Sequence, residues 1–301
     1  MASPLTTPLA DRWNALLQLL DGIAQEHPDA LLASSMGVED TLLIHALMQL
    51  PTRPGACRTW SADSENRPQR DQFLPNLQPN SRAIGQKDGE KWAAAVDLQP
   101  ATSKSGRFPG VFMLDTGRLH QETLDMVGVI EQRYGINVQL MHPKPEAVKD
   151  YIATHGLNAF YESVELRKLC CDIRKVEPLR RALAGHSAWI TGQRREQSST
   201  RAELPETQWD EAFGLHKYNP LASWSTDEVW AVVRALGIPY NPLHDRGYPS
   251  IGCECCTRAI RPGEDIRAGR WWWEQRNNAE CGLHTSVNAH HHEHTDPTPA
   301  A

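Results

Sequence analysis

The cysteines give the sequence its clearest chemical pattern. "KLCCDIRK" contains the neighbours Cys170 and Cys171, and "GCECC" contains the pair Cys253 and Cys256 with Cys255 inside it. Four thiolates from two pairs can bind zinc or an iron–sulfur cluster. Adjacent cysteines fit a tetrahedral site for one ion poorly, whereas a cubane can use neighbours on two different irons. Four buried, reduced cysteines are the alternative, because cysteine is often buried.

A further cysteine could be a nucleophile. Cys281 lies in "AECGLH", close to His284 and downstream of "GRWWW". A neighbouring Arg or protonated His would raise the thiolate fraction of this thiol, which suits nucleophilic attack. On spacing alone, an inert surface cysteine is an equal interpretation. We expect the tryptophans at 271–273 to pack this segment down, with a stacking role as the alternative.

Other residues are suited to binding a small anion. In "SSMGVED", Ser34 and Ser35 lie between a short apolar run and a helical pattern, so backbone N–H groups and hydroxyls could cradle a phosphate or sulfate. An ordinary strand–helix turn is the alternative. Arginine binds such anions through two parallel hydrogen bonds. Arg180 and Arg181 fit a solvated helix face. The other arginines of interest are predicted to lie in loops, and Lys175 follows the first of them: Arg174, Arg194, Arg195, Arg201, Arg258, Arg267 and Arg270.

Composition excludes several classes of protein. The chain has 301 residues and a net charge of −6, which argues against general nucleic-acid binding. No apolar run reaches the roughly 18 residues of a membrane span. The N-terminus lacks the basic start and apolar core of a signal peptide. We therefore expect a cytoplasmic protein whose seven cysteines are in a reducing environment.

The elements that must position these residues alternate between strand and helix. Apolar runs that read as strands are "ALLAS", "VFMLDTG", "INVQLM" and "AWITG". Helical spacing follows or precedes them in 11–26, "EDTLLIHALMQL", "HQETLDMVGVIEQRYG", "PEAVKDYIATHG", "RKVEPLRRALAG" and "STDEVWAVVRALG". This alternation predicts an α/β fold, a parallel sheet with helices on both faces. Ligands bind beyond the carboxyl ends of such strands, where "SSMGVED", "DTGRLH" and "TGQRREQSSTR" lie.

Two segments depart from this pattern. Residues 51–110 are rich in Pro, Asn, Gln, Ser, Arg and Gly, and they predict a disordered insertion. Residues 285–301, which include a histidine run, predict a disordered tail. Residues 1–284 would form a single domain that the insertion interrupts.

Together the motifs resemble those of bacterial assimilatory adenylyl-sulfate reductases, within the sulfonucleotide reductase family. The resemblance lies in "SSMGVEDTLL", "LDTGRLHQET", "CCDIRKVEPL", "TGQRREQSSTR", "YNPLHDRGYPSIGCECCTR" and "GRWWWE…ECGLH". It implies an adenine-nucleotide alpha-hydrolase-like parallel sheet with Cys281 on a mobile C-terminal segment.

The resemblance also implies a chemistry. Cys281 would attack the sulfur of adenylyl sulfate, release AMP and carry an S-sulfocysteine, from which thioredoxin would release sulfite for cysteine biosynthesis. A [4Fe–4S] cluster would be bound by Cys170, Cys171, Cys253 and Cys256. Lys175 would lie between cluster and substrate. The substrate would be held by Arg174, Arg201, Arg267, Arg270, Ser34, Ser35, Thr116 and the backbone of Leu114. Neither nucleic acid nor a membrane would be a partner, and a homo-oligomer stays open.

Two features depart from the family pattern, and three rival functions are weighed. Cys255 stands where the family commonly has Pro, so we expect it not to be a ligand, although it could compete for iron, and the 51–110 insertion is not a family feature. The rivals are a phosphoadenylyl-sulfate reductase, a nucleotide-adenylating sulfur transferase and a non-enzymatic iron–sulfur sensor. Phosphoadenylyl-sulfate reductases usually lack the cluster cysteines. The transferase would require an SGGxDS loop, from which "SSMGVED" departs. A sensor would need neither the arginines nor the ECGLH motif.

Overall fold

The computed structural model describes residues 5–50 and 110–274, which form one sheet with helices packed on it. The helices in these residues are α1 (Thr7–Glu26), α2 (Val38–Met48), α3 (Gln121–Tyr134), α4 (Pro145–His155), α5 (Val164–Cys171), α6 (Glu177–Leu183) and α7 (Thr226–Ala235). The strands are β1 (Leu31–Ser34), β2 (Gly110–Leu114), β3 (Val138–Met141), β4 (Ala188–Thr191), β5 (Thr207–Asp210) and β6 (Leu215–Tyr218).

The strand order is β3-β2-β1-β4-β6-β5. All neighbours are parallel except β5, which runs antiparallel to β6 at one edge. The chain winds outward from β1 to β3, then returns to place β4 on the other side of β1. The connections after β1 and β4 therefore diverge, which opens a crevice at the carboxyl ends of these two strands.

Both faces of the sheet are covered. Consecutive strand residues point to opposite faces, so Leu32 and Ile190 belong to a core with α1, α2, α3 and α7, whereas Leu31 and Trp189 belong to a core with α6. Leu179 of α6 is 1% exposed. The predicted parallel sheet with helices on both faces is confirmed.

Local signals account for several boundaries. In α7, the Ser225 hydroxyl accepts from the Glu228 amide at 3.1 Å, and the Glu228 carboxylate accepts from the Ser225 amide at 2.7 Å. Gly135 ends α3 in the left-handed region at φ 63°, a conformation that glycine adopts without strain. Pro145 lies in the first turn of α4, where its missing N–H costs no hydrogen bond.

Helices α5 and α6 are joined by a π-helical stretch, Asp172–Val176, and not by a loop. A proline such as Pro178 within a helical pattern indicates a break or a first-turn position. The residue lies in the first turn of α6, directly after the π-helical stretch. Short π-helical segments in helices are often found at functional sites, and this one contains Arg174 and Lys175.

The structure also differs from the sequence predictions in places. β5 and β6 form a hairpin to which no strand was assigned, and Gly214 turns it at φ 69°. Gly110 is the first residue of β2, so the predicted insertion includes one strand residue. The rest of that insertion, the C-terminal segment that was predicted to be mobile, and the predicted tail lie outside the described residues. None of the helices within 5–50 and 110–274 combines the length and apolar character needed to cross a membrane.

Candidate active site

A cleft of about 240 Å³ opens at the carboxyl ends of β1, β2 and β4. Its walls come from the turns after these strands, from the π-helical stretch and from the loops around 250 and 267. Eight of the predicted catalytic and substrate-binding residues line it, and so does the predicted metal ligand Cys253; the eight are Ser34, Ser35, Leu114, Thr116, Lys175, Arg201, Arg267 and Arg270. The sheet topology has thus brought together residues from five separate parts of the chain.

The turn between β1 and α2 is held by Asp40. Its carboxylate accepts from the amide of Ser35 at 2.6 Å and from the Ser35 hydroxyl at 2.8 Å. Met36 takes a left-handed backbone at φ 58°, and its amide donates to the Ser34 hydroxyl at 3.1 Å. Burial raises the pKa of Asp40 to about 6. Both serine hydroxyls are thus engaged within the turn, and their predicted contact with a ligand stays a prediction.

The turn after β4 packs closely against this one. A side chain at Gly192 would bring a Cβ within 2.9 Å of the Glu39 Cβ, so only glycine fits without movement. Arg194 is 2% exposed, and its guanidinium donates to the Glu39 carboxylate at 2.8 and 3.0 Å. The grouping of Arg194 with anion-binding loop arginines was wrong, because its charge is satisfied in this buried pair.

The opposite wall of the cleft is basic. The Arg270 guanidinium lies 4.8 Å from the Trp271 ring and donates to the Ser250 hydroxyl at 3.3 Å. Its Nε is buried without a hydrogen-bond partner. Gly252 makes room for it, since a Cβ there would lie 2.5 Å from an Arg270 nitrogen. Arg201 donates to the Gln197 side chain at 2.7 Å. These cations and the unused donor suit an anionic ligand.

The π-helical stretch and one of the cysteines, Cys253, both contribute to the cleft. Lys175 lines the cleft. Arg174 is only 7% exposed and donates from Nη1 to the Thr116 carbonyl at 2.7 Å, beneath the cleft wall. A direct contact of Arg174 with a ligand stays a prediction.

The structure brings the two cysteine segments together. Cys171, at the end of α5, packs with Cys256 and Trp271. Cys253 lies 3.2 Å from the Thr116 hydroxyl, and its backbone bridges to Leu119. Cys255 and Cys256 lie in a short 3-10 turn, with their sulfurs 3.8 Å apart.

The thiols influence one another electrostatically. Burial raises the pKa of Cys170, and the sulfurs of Cys253 and Cys255 contribute to the same rise. The Cys256 hydrogen bond lowers the pKa of Cys255 to about 7 and, together with burial, raises that of Cys256. Within residues 5–50 and 110–274, no three Cys, His, Asp or Glu side chains converge on a position for one metal ion.

Trp271 is buried between these thiols and the arginines. It is 1% exposed, and the Arg167 guanidinium lies 4.6 Å from its ring. Arg167 in turn pairs with Glu274 at 2.8 and 2.9 Å, both side chains being buried. The packing interpretation of the tryptophan run is correct for Trp271, whereas Trp272 is 43% exposed. Cys281 lies outside the described residues.

Several residues that line the cleft were not predicted, and three of them have polar or steric roles there. His244 accepts from the amide of Val38 at 3.3 Å, at the start of α2. The Gln193 side-chain oxygen is buried without a hydrogen-bond partner. Gly252, described above, is the third. They belong to segments quoted for the resemblance, but the residue types alone gave no reason to select them.

Comparison with known proteins assigns the family. Residues 89–259 match the model of the phosphoadenosine phosphosulfate reductase domain. The chain belongs to this family. An adenosine 5'-phosphosulfate reductase of Burkholderia cepacia is 48% identical over 286 residues, which cover 95% of this chain and 92% of that protein. A reductase of the same name from Allochromatium vinosum is 60% identical over 174 residues, 58% of this chain and 68% of that one.

A solved structure supports the fold of this family member. The phosphoadenylyl-sulfate reductase of Candida auris, in a phosphate complex, aligns with a TM-score of 0.53 and 19% identity, over 84% of this chain and 98% of that one. At this identity the likeness concerns the fold alone. The predicted resemblance to sulfonucleotide reductases is thus confirmed.

Proposed function

We propose that this family member reduces adenylyl sulfate to sulfite and AMP, with thioredoxin as reductant, in sulfate assimilation for cysteine biosynthesis. The observation that carries the proposal is a cation-lined cleft at the strand switch point, directly beside two converging cysteine segments. The length and identity of the match to the Burkholderia reductase support the same substrate.

The cleft suits a sulfonucleotide. Adenylyl sulfate carries a phosphate and a sulfate, and Lys175, Arg201, Arg267 and Arg270 present positive charge to the cavity. The amino end of α2 faces the same space and favours an anion. The cations that bind the phosphate also stabilise the charge that grows on AMP as it leaves.

The reaction divides into two transfers. The Cys281 thiolate attacks the sulfate sulfur, the bond from that sulfur to the bridging oxygen breaks, and AMP leaves with its electron pair. A thioredoxin thiolate then attacks the Cys281 sulfur, sulfite leaves, and the second thioredoxin thiol frees Cys281 as thioredoxin becomes a disulfide. Two electrons pass from the dithiol to sulfur. The nucleophile role of Cys281 is a prediction from the sequence.

We assign a [4Fe–4S] cluster to Cys170, Cys171, Cys253 and Cys256. The donor set fits, because two segments supply four sulfurs and the Thr116 hydroxyl can hydrogen-bond to one of them. Arg174 and Lys175 lie close enough to offset thiolate charge electrostatically. A cubane is larger than one ion, so its ligands need not converge on a single point. When bound, it would supply an electrostatic field to Lys175 and the substrate without changing its redox state.

The remaining partners follow from this chemistry. A thioredoxin donor and reduced cysteines require a reducing compartment, so we place the protein in the cytoplasm. Cys170, Cys253, Cys255 and Cys256 carry no disulfide. A homo-oligomer stays open.

Sulfite release tests the proposal. With thioredoxin as donor, adenylyl sulfate should give sulfite at least about tenfold faster than its 3′-phosphorylated form, a difference of about 1.4 kcal/mol in transition-state binding. Equal or reversed rates would favour a phosphoadenylyl-sulfate reductase. No sulfite from either nucleotide would refute a reductase.

A further inference from the structure

We infer that Cys255 is a reserve iron ligand that can take the place of Cys256. The inference rests on the cluster assigned under the proposed function, and it goes beyond the expectation from the sequence that Cys255 is not a ligand. This chain would then contain five usable sulfurs for four ligand positions.

The sulfurs of Cys255 and Cys256 are close neighbours. Cys255 and Cys256 belong to one 3-10 turn, and their Sγ atoms are 3.8 Å apart. Both side chains are partly buried. Cys255 therefore presents its sulfur beside that of Cys256.

The backbone would not need to unfold for the exchange. The Tyr161 hydroxyl donates to the Cys255 carbonyl at 2.6 Å, and the Cys256 amide donates to the Cys253 carbonyl at 2.9 Å. These bonds hold the turn while a side-chain rotation moves a sulfur by a few ångströms. An exchange of side chains is thus sufficient.

Cys253 is fixed in place and has no neighbouring cysteine in the same turn position. Cys253 is 7% exposed, its sulfur contacts the Thr116 hydroxyl, and its backbone is bridged to Leu119. The next residue after Cys253 is Glu254, which has no sulfur and whose side chain is exposed. Removal of Cys253 should therefore leave a ligand position that no nearby sulfur fills, which makes it the matched control.

The exchange balances without an oxidant or a reductant. Cys255 loses its proton to solvent as its sulfur binds iron, and the Cys256 sulfur, where present, takes up a proton as it leaves. No electron moves.

Iron and sulfide content of anaerobically purified variants tests this inference. We expect Cys256→Ser to keep iron, sulfide and the visible absorption within about twofold of wild type, because Cys255 replaces the lost ligand. The double variant Cys255→Ser/Cys256→Ser and the control Cys253→Ser should each lose iron and sulfide about tenfold or more. Cys255→Ser alone should match wild type. A Cys256→Ser protein as poor in iron as the double variant would overturn the inference.

Mapping of alkylated thiols provides a readout that does not depend on how well the variants fold in bulk. Iodoacetamide applied to native wild type should label Cys255 and spare Cys256, whereas in Cys256→Ser the label at Cys255 should drop about tenfold. Equal labelling of Cys255 in both proteins would contradict the exchange. If wild type itself held zinc without sulfide, the proposed cofactor would fail and this inference with it; loss of iron from Cys256→Ser alone would remove only the inference.

Discussion

At the scale of single residues, the site uses buried charge to fix its turns. Asp40 lies at the start of α2 and accepts two hydrogen bonds from Ser35, yet burial still raises its pKa to about 6. The hydrogen bonds oppose this rise without cancelling it. The turn is thus well ordered, but the ionised carboxylate makes the folded state less stable than a neutral group would.

Replacing Asp40 by Asn should flatten the dependence of stability on pH. Because the folded-state pKa is above the unfolded value of 3.8, the folded protein binds the proton more tightly, and wild-type stability falls as pH rises from about 4 to about 6. In wild type this decrease in the free energy of unfolding amounts to at most about 3 kcal/mol, and it should be absent in Asp40→Asn. Urea unfolding of anaerobic protein at several pH values measures it. The exposed Asp150→Asn is the control, and identical curves for wild type and Asp40→Asn would contradict the prediction.

Replacing Cys281 by Ser should abolish turnover without affecting the cluster. A hydroxyl is a far weaker nucleophile than a thiolate at neutral pH, so sulfite release should fall at least about tenfold. Iron content and circular dichroism should match wild type. Cys57→Ser, which changes another cysteine outside the described residues, is the matched control and should stay active. Substantial turnover by Cys281→Ser would place the nucleophile elsewhere.

Motifs and the family resemblance predicted the lining of the cleft better than its internal partners. Eight predicted catalytic and substrate-binding residues line one cavity. Those at the ends of β1 and β2 meet there because the carboxyl ends of parallel strands share one edge of the sheet. Arg194 and Arg201 follow the same strand, and nothing in their local sequence separates them. What separates them is Glu39, which is 155 positions away and pairs with Arg194 only after folding.

At the scale of elements, the Arg194–Glu39 pair ties the turn after β4 to the first turn of α2. Both side chains are largely buried, and Arg194 also donates to the Trp224 carbonyl at 3.2 Å. One guanidinium therefore connects three segments around the cleft. Its loss would leave a buried carboxylate without its cation.

Arg194→Ala should lower the free energy of unfolding by about 3–5 kcal/mol, because an unpaired buried charge remains. The exposed pair of Arg181 with Glu177, at 2.9 Å on α6, is a matched control of the same chemistry. Arg181→Ala should cost less than about 1 kcal/mol. Urea unfolding midpoints compare the two, and equal losses would show that burial does not decide the effect.

Helices were easier to predict than the hairpin. Capping residues and a spacing near 3.6 give α3, α4 and α7 strong local signals. β5 and β6 are only four residues long, and one is exposed at the sheet edge while the other is buried. Two or three residues of alternation are too few to distinguish such strands from a loop, so their pairing depends on the rest of the sheet.

At the scale of the whole molecule, the described residues form a six-stranded sheet with a hydrophobic core on each face. Residues 51–109 connect α2 to β2, where α/β proteins commonly use about two to six residues. The single-domain prediction for 1–284 stays untested, and this connection offers the most direct way to test it.

Replacing residues 51–88, which precede the family-domain match, by a Gly/Ser linker of about eight residues should leave fold and activity intact. No strand or core residue of the described parts is removed, and closing a shorter loop costs less entropy. Thermal denaturation should shift little, and sulfite release should stay within about twofold of wild type. A scrambled sequence of the same length is the control. An insoluble or inactive short variant would assign a structural role to the segment.

The π-helical stretch sets the angle between the buried face of α5 and the buried face of α6. Each α-helical residue turns the backbone by about 100°, so one additional residue within a turn rotates all that follows by that angle. Leu179 of α6 can therefore face the sheet while Cys171 faces Trp271, although one continuous helical backbone contains both. Deleting one residue from 172–176 would give a regular helix with unchanged circular dichroism, but its two ends would no longer be aimed at their separate partners.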